Sequence, residues 1–127
     1  MGDRANVYIH HGDNPGIYLY SHWDGTELPS VVKRSMDTER AKRNYNDAEY
    51  LAHVIFEDIF DEDPGNDKGY ALSLYPLDGE NRIVDIDTNV GYGEPSKVTL
   101  KGYPYTWANI PKNPYNICGG CGRPLPD

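Results

Sequence analysis

Two stretches of alternating side chains flank a strong turn near the start of the chain, and they constrain its folding most. In ANVYIHH, residues 5–11, Val7 and Ile9 fall on one side of an extended strand, with Tyr8 and His10 on the other. GDNPG follows, a cluster of turn formers. IYLYSHW, residues 17–23, resumes the alternation, with Ile17, Leu19 and Trp23 on one face and Tyr18, Tyr20 and His22 on the other. The pattern predicts a β-hairpin with one apolar face, and that face needs a cover.

The cover comes next in the sequence. Asp24-Gly25 ends the second strand, Thr26 is an N-cap candidate and Pro29 suits a first helical turn. Leu28, Val31, Val32, Ser35 and Met36 then recur at helical spacing. A second helix is expected from Asp47 to Phe60, with Asp47 as cap and Ala48, Leu51, Ala52, Ile55 and Ile59 as its buried stripe. YALSLYP and RIVDIDTN read as strands paired in a hairpin around LDGEN, and KVTLKGYPYTW as one irregular strand more. The expected fold is therefore α+β: an antiparallel sheet of about five strands, in the order ββααβββ, with two helices packed on one face. Residues 1–110 would form one domain and residues 111–127, rich in Pro and Gly, a C-terminal tail.

Charge narrows the function. Twenty acidic residues against 12 basic ones give a net charge of -8, which opposes general nucleic-acid binding. Mean hydropathy is -0.72, but eleven tyrosines supply apolar ring faces that hydropathy scales undervalue. The sequence has no apolar run suited to a membrane span and no signal peptide, so a cytoplasmic location, in a bacterial or infected host cell, is the expectation.

Several groups of residues carry chemistry. His10 and His22 with Asp85 and Asp87 could serve a metal-assisted reaction, although exposed strand faces look the same. His53 lies one helical turn from Glu49 and Glu57, which suggests a surface ion pair. Cys118 and Cys121 form half of a zinc knuckle that has no second half. Nucleophile-elbow, dinucleotide-binding and P-loop motifs are missing from the sequence. The most suggestive combination is aromatic and basic. Tyr8, Tyr18, Tyr20 and His22 make a sheet face, while Lys33, Arg34, Arg40, Lys42 and Arg43 cluster about the first helix, with Arg4 just before the first strand. Rings stack on nucleobases and arginines grip phosphates.

GDRANV at 2–7, LYSHWDGTELP at 19–29 and YLAHVIF at 50–56 resemble segments of a largely uncharacterised family of small bacterial and phage proteins. Its members carry a G-D/N-R-A-N opening, an L-Y-T-H-W-G/D-G strand end and a Y-L-A/S-R-x-I-F helix. The resemblance covers about the first half of the chain and implies a grouping without a mechanism. Inside these segments Arg4, Asn6 and His22 have no evident folding role, which marks them as site candidates. The expected function is a non-enzymatic binding module, with no cofactor, for a compact anionic and nucleotide-like ligand, such as a host-defence nucleotide signal sequestered by a phage protein. Arg4, Asn6, Tyr18, Tyr20, His22, Arg34, Arg40 and Arg43 would bind it. The alternative is an acidic, nucleic-acid-mimicking inhibitor that binds a host protein through EDIFDEDPGND, residues 57–67. A homo-oligomer is compatible with either.

Overall fold

A computed structural model of the chain describes residues 3–77 and 82–111. The Cys118–Cys121 tail and most of the LDGEN turn lie outside the described residues. The elements are β1 (Ala5–His11), β2 (Asn14–Ser21), α1 (Leu28–Met36), α2 (Glu39–Lys42), α3 (Ala48–Asp61), β3 (Tyr70–Ser73), β4 (Ile83–Asp87) and β5 (Lys97–Lys101), followed by a 3₁₀ turn at Trp107–Asn109. The α+β class and the five-stranded sheet agree with the sequence pattern.

The expected hairpin of β1 and β2 forms, in the register Val7↔Leu19 and Ile9↔Ile17. Gly16 is required there, because a Cβ at that position would stand 1.9 Å from the Ile9 carbonyl oxygen. Val7, Ile9, Leu19, Val84 and Ile86 form the apolar face and meet Leu28, Val32, Leu51, Ile55 and Ile59 of the helices. Each side chain buried this way is worth about 1.5–3 kcal/mol. Asp47 caps α3 by accepting from the Tyr50 N–H at 3.2 Å, as its position suggested.

Four expectations need correction. Among the described residues the α-helices number three, because Thr38 opens the short α2 by accepting from the Ala41 N–H. Thr26 does not cap α1; Glu27 holds that position without a side-chain bond, and Thr26 turns to Asp3 instead. Trp23 does not belong to the core. Strand β2 ends at Ser21, the alternation stops with it, and the indole is 49% exposed, edge-on to His22. Lastly, the sheet is mixed rather than antiparallel. Its order is β3-β2-β1-β4-β5, and β1 pairs with β4 in parallel. YALSLYP and RIVDIDTN therefore do not pair with each other.

This last point dictates the remaining architecture. Strands β3 and β4 run the same way with β2 and β1 between them. Their link must cross about 14 Å of sheet, and the helices occupy one face. The link reaches Asn6, a polar residue with no solvent exposure on the face away from the core. The Asn6 side-chain amide donates to the Leu77 carbonyl at 2.9 Å, and its oxygen accepts from the Leu77 N–H at 3.4 Å. The primary amide thus replaces a strand neighbour and pins the crossing segment. Among the described residues no helix is long and apolar enough to cross a membrane.

Replacing Asn6 with Ala leaves both Leu77 backbone groups unpartnered, with an expected cost of about 2–4 kcal/mol in urea denaturation. Trp23→Ala, by contrast, should cost less than about 1 kcal/mol, as surface substitutions do. An Asn6→Ala midpoint equal to wild type would show that the clamp is dispensable.

Candidate functional site

Asp3, Arg4, Gly25 and Thr26 form a structural lock with Arg82. Asp3 accepts from the Thr26 N–H at 3.0 Å and from the Thr26 hydroxyl at 2.8 Å, and Arg82 donates to the same carboxylate. Burial opposes ionisation of Asp3, but the hydrogen bonds from Arg82 and Thr26 outweigh it and hold the carboxyl below its usual range. Gly25 lies beneath, where a Cβ would come within 2.6 Å of both the Asp3 carbonyl and Arg82. Arg4 contributes its carbonyl, which accepts from Arg82 at 2.7 and 3.0 Å, while its side chain is exposed. Of the three residues without an evident folding role, Asn6 is the crossover clamp. His22 bonds the Tyr20 hydroxyl at 2.8 Å through Nδ1.

The tyrosine face exists and is internally satisfied. Tyr18 stacks on Tyr8 with centroids 4.1 Å apart, and Tyr8 stacks on His10 at 4.7 Å. His10 Nε2 lies 2.6 Å from Asp85 Oδ1, and its Nδ1 lies 2.8 Å from the Gly12 carbonyl. Both neighbours are acceptors when Asp85 is ionised, and a neutral imidazole has only one N–H. The pair of contacts is therefore satisfied by the imidazolium. Burial lowers the pKa of His10, yet the bonds to Asp85 and Gly12, with the charges of Asp85 and Asp87, raise it on balance. Lys101 completes the row at 3.2 Å from Asp85. Asp87 is occupied by the backbone N–H groups of Gly12 and Asn89, both at 2.9 Å. Among the described residues no three of His, Cys, Asp and Glu gather closely enough to hold a metal ion. His53 pairs with Glu57 at 3.2 Å, the surface contact its spacing suggested.

A second acid cluster sits beneath the turn after β2. The buried Asp24 accepts from the Tyr70 hydroxyl at 2.8 Å, while its other oxygen has no hydrogen-bond partner among the described residues and lies 3.7 Å from Lys68 Nζ. Burial and the adjoining Asp24 raise the pKa of Glu27.

The expected site residues do not converge. Tyr18 and Tyr20 face away from the helices, whereas Arg34, Arg40 and Arg43 belong to the helical layer. Arg40 is held by Glu57 at 2.6 Å and Arg34 by Glu62 at 3.2 Å. The basic residues instead find other aromatics. An open cleft of about 410 Å³ is lined by Lys33 and Arg34 of α1 together with Tyr45, Ser96 and Trp107. Tyr45 also lines a neighbouring cleft of about 360 Å³ with Lys42, Arg43 and Tyr92. Lys33 Nζ donates to the Trp107 carbonyl at 2.8 Å and stands 5.2 Å from the indole centroid. Tyr45 is fixed at both ends, its hydroxyl donating to the Met36 carbonyl and its own carbonyl accepting from Ser96. Lys42 is 3.5 Å from Asp37, whereas Lys33 and Arg43 have no ion pair among the described residues. Asp37 is the one carboxylate in the two linings. Sequence reasoning missed Trp107 and Tyr45 because proximity between α1 and a residue 74 positions later leaves no local pattern.

The charge assigned to His10 has a pH signature. A folded pKa above the ordinary 6.5 gives stability that is complete below that value and lost as the pH rises through the folded pKa. The melting-temperature gap between wild type and His10→Asn should therefore be wider at about pH 5.5 than at about pH 9. An equal gap at both pH values would mean that His10 acts as a neutral ring.

No protein-family model, no curated protein and no solved structure matches the chain.

Proposed function

We propose that the protein is a binding module for a small anionic ligand with a flat ring, of the nucleotide class, held in the paired clefts around Tyr45. One observation carries this: in a chain of net charge -8, four cations, three aromatic rings and a single carboxylate line these adjoining clefts. Lys33 and Arg43, which have no ion pair among the described residues, would meet phosphate oxygens, and Arg34 would join by exchanging Glu62 for the ligand. Trp107 and the 96% exposed Tyr92 supply ring faces for a base. Lys33 and Arg34 occupy the last turn of α1, where the helix dipole favours cations, so their charge does not strain the helix. The resemblance to bacterial and phage proteins suggests a use, sequestering a nucleotide signal of host defence.

A second reading has its own support. Helix α3 ends in acid: Glu57, Asp58 and Asp61 precede Glu62 and Asp63, and its last turn holds no basic residue. Negative charge at a helix C-terminus opposes the dipole. An arrangement that works against the helix is consistent with a surface kept for a cationic protein partner.

Calorimetry with a panel of mono-, di- and cyclic nucleotides tests the first reading. Lys33→Glu should abolish binding with only a small drop in melting temperature, and Trp107→Ala should weaken it by about 1–3 kcal/mol. Tyr18→Ala should leave affinity unchanged, since its ring is stacked on Tyr8. If wild type and Lys33→Glu behave identically across the panel, the clefts are only a solvated polar surface.

A further inference from the structure

We propose that the free edge of β3, with the apolar groove beside it, is a docking site for an extended segment of another protein that alternates apolar and basic side chains and adds to the sheet as a sixth strand. The proposal rests on the second reading above, of an acidic protein-binding face, and gives that face a geometry.

The two edges of the sheet differ. Strand β5 is guarded by Lys97 and Lys101, the usual protection against edge-to-edge pairing. Strand β3 has no charged residue, and Leu72 is 52%, Leu74 82% and Tyr75 65% exposed around its end. Its backbone orientation follows from the register. Tyr20 pairs with Ala71 and Tyr18 with Ser73, and the His22 N–H donates to the Gly69 carbonyl at 3.2 Å. Alternate residues 69, 71 and 73 therefore face β2, and the peptide groups of Tyr70 and Leu72 point outward. Asn66 bears this out. Held at a φ of 55°, it accepts from the Tyr70 N–H at 2.8 Å and donates to the Tyr70 carbonyl at 3.3 Å, as a neighbouring strand would. Among the described residues, the edge is thus plugged at Tyr70 and open at Leu72.

Beside the opening lies a groove of about 530 Å³ lined by Phe56, Phe60, Pro64 and Leu72 together with Glu57, Asp61 and His53, the last held by Glu57. An added strand would place alternate side chains in this groove. Asp61 has no ion pair among the described residues, and Asp67 nearby is also exposed and without one. These charges select a cationic segment. They disfavour a second copy of this chain, which would bring another net charge of -8 to the same edge.

The test uses the full chain and a fluorescein-labelled hexapeptide, Lys-Val-Lys-Val-Lys-Val, read by fluorescence anisotropy. A matched peptide N-methylated at alternate residues keeps the charge but cannot donate to the edge. Saturable binding that falls about tenfold or more on N-methylation, and again in a Leu72→Asp variant with unchanged melting, supports strand addition. Equal binding of both peptides, lost in the Asp61→Lys, Asp67→Lys double variant, keeps the acidic face but overturns strand addition. Binding of neither peptide overturns both. A wild-type dimer on size-exclusion chromatography that Leu72→Asp dissociates overturns the proposal in favour of self-pairing.

Discussion

The parallel pairing of β4 with β1 is the constraint on which the structure turns. It obliges the chain to travel from one side of the hairpin to the other, across a face that the helices leave uncovered. A backbone segment crossing a sheet needs partners for its own polar groups. Asn6 meets that need at Leu77, from a position that would otherwise carry an apolar or exposed side chain. Arg82 secures the far end of the same link by bonding the Arg4 carbonyl and Asp3. The N-terminal segment, the turn into α1 and the entry to β4 thereby become one hydrogen-bonded unit.

With the helices on one face and the link on part of the other, the chemistry divides by layer. The uncovered face carries the stacked Tyr18, Tyr8 and His10 rings and the His10–Asp85–Lys101 row, all directed at each other. On this face the rings and charges meet one another. The helical layer is different. Its exposed ion pairs, such as Arg34–Glu62, contribute little to stability and exchange partners readily. Positive charge collects around Tyr45 and negative charge at the end of α3, so a strongly acidic protein presents two surfaces of opposite character.

Much of this was legible in the sequence. Period-two alternation revealed β1 and β2 and the faces of Val7, Ile9 and Leu19; the stripe from Ala48 to Ile59 revealed α3 and its Asp47 cap. Alternation cannot name a strand's neighbour, so RIVDIDTN reads as a hairpin partner of YALSLYP, whereas it lies between β1 and β5. Trp23 reads as a core residue because the alternation continues in the sequence two residues past Ser21, where β2 ends and the chain bends. The folding role of Asn6 is hidden for a further reason. A buried amide that completes a backbone ladder looks, in one dimension, like a polar residue without purpose. The convergence of Lys33 with Trp107 is likewise a product of tertiary structure alone.

The partnership of the first and fourth strands also has a consequence in time. During synthesis the segment from Ala5 to His11 emerges before its partner from Ile83 to Asp87, which follows more than seventy residues later. At ordinary elongation rates of about 5–20 residues per second, the interval is several seconds or more. The hairpin can close and α3 can cover its apolar face within that time, but one border of the first strand stays bare on the ribosome. Contacts so distant in the chain slow folding. The nascent chain is therefore exposed to wrong pairing along β1, on the side that β4 later seals.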